Sequence, residues 1–286
     1  MQQLDLRPLS LGEILDRTFS LYRRHFLLFL GIAAIPQLLT LGLNLAQVLV
    51  VQPQVRQTTT HLSPGAASGI LAFGVVGAII AFFIYIVTYL FAQGGTIYAV
   101  SDLYLGRPTT IGESLKKMWG QLLNLFGVSL LNGVVIIIAT IFLIIPGIYM
   151  ACRLITCVPA ALLEDLGARE SLERSFALTK DNAGRAFVIY FLYVCMLYAT
   201  IFLFAIPFGI MIAVSSKDPA MVRTALVLMQ VGNFCAGVLV TPFFLIATSV
   251  FYYDLRVRKE AFDLQLMMGS GGSSLPSSST MPSLLK

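Results

Sequence analysis

Hydrolysis, redox or metal chemistry would need paired carboxylates, a histidine beside a nucleophile, or a cluster of Cys and His. This sequence keeps those residue types apart. Its two histidines, His25 and His61, fall on opposite sides of one apolar run, so neither a His-based metal site nor a Ser-His or Cys-His couple forms from neighbouring sequence. All 14 Asp and Glu residues lie outside the apolar runs. The four cysteines, Cys152, Cys157, Cys195 and Cys235, all lie inside them, where a thiol behaves as a small hydrophobe and implies no disulfide framework. There is no glycine-rich phosphate loop. The pattern points to a protein that is not an enzyme and takes no metal and no cofactor. One group stands out: Arg153 is the only full charge within an apolar run. It either snorkels or pairs with a neighbour, or it contacts an anion such as a phosphate headgroup.

The elements that must position these groups follow from composition. The chain has 286 residues, 57% hydrophobic and 12% charged, with a mean hydropathy of +0.85. A soluble domain carries about 25% charge, so an ordinary soluble globule is excluded. The pI of about 9.1 does not indicate nucleic-acid binding, because the basic residues flank apolar runs rather than gathering on one face. A helix needs about 20 mostly apolar residues to cross a hydrocarbon core of about 30 Å. Such runs occur near 26–50, 68–93, 121–144, 147–163, 186–214 and 225–251. Only Ile145-Pro146-Gly147 separates the third from the fourth, which predicts a tight turn there. The first run is too long for a signal peptide, so nothing is expected to be cleaved.

Of the 19 basic residues, all but Arg56, Lys217, Arg223 and Arg153 lie in the N-terminus, the 101–120 and 164–185 connections and the C-terminus. Six spans place all four of those segments on one side of the membrane, and the positive-inside rule makes that side cytoplasmic, with both termini inside. Five spans would split them. Tyr252 and Tyr253, followed by Arg256, Arg258 and Lys259, are expected to form an aromatic interface anchor and a basic stop. The expected fold is therefore all-α, a polytopic membrane bundle of six transmembrane helices arranged as three hairpins. Residues 1–268 form one integral membrane domain, and the Gly/Ser/Pro-rich 269–286 are expected to be a disordered cytoplasmic tail.

A short pattern recurs before each hairpin: Glu13-Leu15-Arg17-Phe19, Glu113-Leu115-Lys117-Trp119 and Glu170-Leu172-Arg174-Phe176. Two copies begin as capping boxes, Ser10-x-x-Glu13 and Thr110-x-x-Glu113. In each copy Glu precedes its basic residue by four, which predicts an i,i+4 ion pair worth about 0.2–0.5 kcal/mol. These segments are expected to be amphipathic helices at the cytoplasmic interface, either simply lying there or forming a belt whose charges touch lipid headgroups or a partner. The pattern divides the domain into approximate repeats at 9–100, 109–163 and 165–253. Uncharged polar residues in the spans, such as Asn44, Gln47, Asn124 and Asn132, are expected to bond between helices. Pro36, Pro159, Pro207 and Pro242 are expected to kink them. Gly65-x3-Gly69 and Gly74-x3-Ala78 would allow close helix packing.

Three stretches, RPLSLGEILDRTFSLYRRHF at 7–26, IPGIYMACRLITCVPAALLEDLGARESLERSFALTKDN at 145–182 and YYDLRVRKEAFDLQL at 252–266, resemble the bacterial glycerophosphoryl diester phosphodiesterase membrane domain family. The resemblance implies a bacterial inner-membrane location and the topology above. The family takes its name from fusions to a soluble phosphodiesterase barrel, for which this chain has no room. The resemblance therefore implies no phosphodiesterase activity and supplies no catalytic residue to carry over. The expected role is membrane organisation or homeostasis, or a scaffold, with membrane lipids and a membrane-protein partner or second copy as partners and no nucleic acid. The alternative is a transporter or permease for an amphiphile or phosphate-bearing lipid precursor, suggested by Arg153, the intramembrane amides and the span prolines.

Overall fold

A segment apolar on every side satisfies its own amides by coiling into a helix, and finds its solvent in lipid. The structure, a computed structural model, describes residues 8–46, 48–49, 64–215 and 218–260; of 64–76 and 78 it describes the backbone alone. The tail at 269–286, His61, Arg56, Gln47 and Lys217 lie outside the described residues, as do the side chains of the Gly65-x3-Gly69 and Gly74-x3-Ala78 patterns. Ten helices fill the described residues, with no strand. They are α1 (Leu11–Arg24), α2 (Phe26–Ala46), α3 (Pro64–Tyr104), α4 (Ile111–Trp119), α5 (Leu122–Phe142), α6 (Ile144–Arg153), α7 (Cys157–Leu163), α8 (Ala168–Thr179), α9 (Ala183–Val214) and α10 (Pro219–Glu260).

Among the described residues, six stretches are long and apolar enough to cross a membrane: Phe26–Ala46, Ile79–Tyr104, Leu122–Phe142, Ile144–Leu163, Ala183–Val214 and Pro219–Glu260. The chain is an all-α, multi-pass membrane protein. The fourth span is composite, made of α6 and α7. α9 exposes Phe202, Leu203, Ile206 and Ile210, which only hydrocarbon would favour. α10 is the centre of the bundle, packing against α1, α2, α3 and α9. Ile246, Val250, Phe251 and Tyr252 on α10 are fully buried, in one core cluster with Phe29 and Ile32 of α2 and Ala99 and Val100 of α3. At 42 residues α10 is about 63 Å long, roughly twice the hydrocarbon thickness, so it extends well past one interface.

Two local expectations are corrected. The turn between the third and fourth spans is the single residue Leu143, which is extended (φ −164, ψ 148), while Pro146 and Gly147 lie in the first turn of α6. Proline is tolerated there because the first amides of a helix have no intrahelical partner. Gly147 serves close packing: a Cβ on it would stand 2.1 Å from Thr140 Oγ1 and 2.9 Å from Thr140 Cα of α5. Secondly, Tyr252 and Tyr253 are not interface anchors. Tyr252 is 0% exposed and Tyr253 is also buried, because α1 and neighbouring helices cover this end of α10.

Candidate functional site

The three recurring segments are helices α1, α4 and α8, and in each the Glu is spent on the helix start. Ser10 Oγ accepts from the Glu13 amide at 3.3 Å, and Glu13 Oε2 accepts from the Ser10 amide at 2.6 Å. Thr110 and Glu113 repeat this at 3.3 and 3.1 Å. Ahead of α8 stands Gly167, whose amide donates to Glu170 Oε2 at 3.2 Å. Free amides and the positive end of the helix dipole hold the carboxylate there.

The basic residue of each copy accordingly reaches a different helix, and the expected i,i+4 pairing gives way. Arg17 Nη1 donates to Tyr104 Oη at 2.9 Å, with its guanidinium 5.4 Å from the ring centroid. Lys117 Nζ donates to Asp102 Oδ2 at 2.5 Å. Arg174 grips Glu164 with Nε at 2.7 Å and Nη2 at 3.0 Å, and also bonds Glu260. Burial works against the Arg174 charge, but the bonds to Glu164 and Glu260 outweigh it and hold its pKa above the ordinary arginine value. Phe19 and Trp119 point outward, 58% and 73% exposed, whereas Phe176 is packed under Arg153.

The acceptors of these bonds were not expected from sequence. Asp102 and Tyr104 end α3, Glu164 follows α7, and Asp254 and Glu260 lie in the last turns of α10. One signal for them exists: an Asp-Leu pair closes every second span, at Asp102-Leu103, Asp165-Leu166 and Asp254-Leu255. Asp254 is 1% exposed. Its Oδ1 accepts from the Leu9 amide at 2.7 Å, and its Oδ2 from Arg185 Nη1 at 2.8 Å and Arg258 Nε at 3.0 Å. The same two arginines donate to the Leu9 carbonyl at 2.8 and 2.5 Å, so the backbone entering α1 is held from both its polar groups. Nearby, Tyr252 Oη donates to Glu164 Oε1 at 2.6 Å, and Arg256 Nε donates to Glu260 at 3.1 Å. Tyr253 Oη lies 2.7 Å from Ser101 Oγ and stacks on Tyr104 at 4.7 Å.

Arg153 ends α6, where the fourth span breaks over Leu154–Thr156 before α7 begins. Its Nη2 donates to the Phe176 carbonyl of α8 at 2.8 Å, and the guanidinium lies 5.4 Å from the Phe176 ring centroid. A helix end within a membrane domain leaves carbonyls that need donors. Here Ser175 Oγ and Thr179 Oγ1 of α8 both donate to the Arg153 carbonyl at 2.9 Å, and Thr156 Oγ1 lies 2.9 Å from Ser175 Oγ. α8 thus acts as a plug against the break. Among the intramembrane polar side chains, Asn124 Nδ2 donates to the Leu166 carbonyl at 2.9 Å, while Ser129 Oγ and Asn132 Oδ1 are buried with no hydrogen-bond partner among the described residues. His25 caps the C-terminus of α1 through its backbone. No group of three His, Cys, Asp or Glu able to hold a metal occurs among the described residues.

No curated protein matches the chain. No solved structure matches it either. A family model does match, and its range takes in the central and closing stretches that carried the resemblance while leaving the opening one outside. Residues 132–268 match the family described as the membrane domain of glycerophosphoryl diester phosphodiesterase, the family that the sequence resembles.

Proposed function

We propose that this chain is a non-enzymatic protein of the bacterial inner membrane, with both termini in the cytoplasm, that organises lipids or a membrane-protein partner rather than transforming a substrate. The observation that carries this reading is how the recurring motif is used. Arg17, Lys117 and Arg174 are each bonded to the end of a span, so they hold α1, α4 and α8 to one end of the bundle. What α1 and α4 present outward is Phe19 and Trp119, large aromatic surfaces suited to a headgroup layer or a protein partner. The concentration of basic residues at that end supports its cytoplasmic orientation. The Asp-Leu pairs at three span ends support three approximate repeats, at 9–100, 109–163 and 165–253, about an axis along the membrane normal.

The test is the double variant Phe19→Ser, Trp119→Ser, extracted in native polymer nanodiscs. Neither ring fills a buried position, so insertion and thermal midpoint should match wild type while the native complex shrinks or its co-purifying partner is lost. A variant with an unchanged complex and unchanged partners would contradict the proposal. The broken fourth span favours a second reading, a permease for an amphiphile or phosphate-bearing lipid precursor, because transporter sites use interrupted helices. In that reading Arg153 is the anion contact. Purified protein in liposomes moving such a precursor, with Arg153→Ala abolishing the movement, would establish it over the first.

A further inference from the structure

α4 is set unusually close against the two spans beside it. A Cβ on Gly31 of α2 would stand 2.5 Å from Ile111 Cδ1, and one on Gly94 of α3 would stand 2.0 Å from Met118 Sδ. Glycine at both points lets α4 sink between α2 and α3, and a groove of about 570 Å3 is left beneath it, within the roughly 300–1,000 Å3 of ligand pockets. Lys116 and Trp119, three residues apart and so on one face of α4, stand with Gly112 at its upper end. Val87 and Phe91 of α3 and Ile35 of α2 form its walls. The one hydroxyl among these walls, on Thr88, is already bonded to the Ile84 carbonyl at 2.7 Å, so the groove is apolar in effect.

Two features decide what fits. Ile35 lies nine residues into α2, about 14 Å of helix rise, which takes the lower groove to acyl-chain depth. At the upper end is a free cation: Lys117 is neutralised by Asp102, but Lys116 makes no hydrogen bond or ion pair with any described residue. An ammonium over a dry channel that descends into hydrocarbon matches an amphiphile with a negative head. Trp119, packed on Phe91 at 5.5 Å, is placed where indole rings favour the headgroup level.

We infer that the groove between α2 and α3 binds one anionic phospholipid, with its phosphate on Lys116 and an acyl chain running down past Phe91, Val87 and Ile35. The inference rests only on the chain spanning a membrane and not on the scaffold reading.

Trp119 is the only tryptophan in the chain, so tryptophan fluorescence reports on lipid at the upper end of this groove, and the variants separate groove lipid from lipid against the exposed face of the ring. The full chain is reconstituted in phosphatidylcholine vesicles containing either phosphatidylglycerol or phosphatidylcholine brominated on the acyl chain. Brominated phosphatidylglycerol should quench Trp119 at about one fifth of the mole fraction that phosphatidylcholine needs, the preference one lysine beside an anionic headgroup supplies. Lys116→Gln should abolish that preference, and Arg107→Gln, at an exposed residue outside the groove, should keep it. Gly112→Leu, at a position where a Cβ meets nothing within 4 Å, should fill the groove and reduce quenching by both lipids. Excess soluble glycerol phosphate should not relieve the quenching. Equal quenching by the two lipids, a preference surviving Lys116→Gln, or competition by soluble glycerol phosphate would each overturn the inference and leave the scaffold reading standing.

Discussion

Asp254 shows how much one side chain can hold together at the end of a long helix. Its carboxylate is out of contact with water, and two arginines and the Leu9 amide complete its bonding. A buried charge keeps its place only while its partners are present, and removing one partner leaves the others uncompensated at a cost of about 3–5 kcal/mol. Asp254→Asn keeps the shape but leaves Arg185 and Arg258 without their anion. It should lower the stability in detergent by an amount in that range, seen as a lower thermal midpoint, and Arg185→Gln added to it should cost much less than it does alone, because both act on one network. Full additivity of the two variants would show that the cluster is not a unit. The sequence could place Asp254 beside Arg258 on one helix turn. It could not show that Arg185, 69 residues earlier, completes the site, because that contact is made by tertiary packing alone.

At the scale of elements, hydropathy made the six spans legible because a membrane helix must be apolar along its length whatever it packs against. The same property hid the breaks inside them. Leu143 and Leu154–Thr156 are as apolar as their surroundings, so nothing in the composition marks a one-residue turn or a divided fourth span. Proline and glycine pointed to the correct neighbourhood and the wrong job: Gly147 is needed for the approach of α6 to Thr140, not for a bend. Gly147→Ala should therefore destabilise the chain by about 1–3 kcal/mol, the usual cost of overpacking. Gly133→Ala in α5, where a Cβ would meet nothing within 4 Å, should be neutral or slightly stabilising. Thermal midpoints of the two variants measured side by side check this, and equal midpoints would refute the packing role. The capping boxes of α1 and α4 were also legible, since capping is decided within four residues. The partners of Arg17, Lys117 and Arg174 were not, because each lies on another helix.

The whole molecule is a bundle closed at one end. Each basic motif residue bonds the end of a span, and the last turns of α10 share bonds with the segment before α1, with α8 and with the start of α9. Tyr252 and Tyr253 looked like a lipid-facing belt because an aromatic pair before a basic run reads the same whether lipid or protein surrounds it; their burial is a property of the assembled bundle. The most direct measurement is paired-cysteine cross-linking in native membranes, with the four native cysteines replaced by serine. The pairs are Asp102→Cys with Lys117→Cys, Glu164→Cys with Arg174→Cys, and Tyr104→Cys with Arg17→Cys. All three should bridge with a short bifunctional thiol reagent, and single cysteines at the exposed Phe19, Trp119 and Glu173 of the same helices should react with an impermeant maleimide in inside-out vesicles but not in intact spheroplasts. Failure of the pairs to bridge, or labelling of any of the three helices from the outer face, would contradict the account.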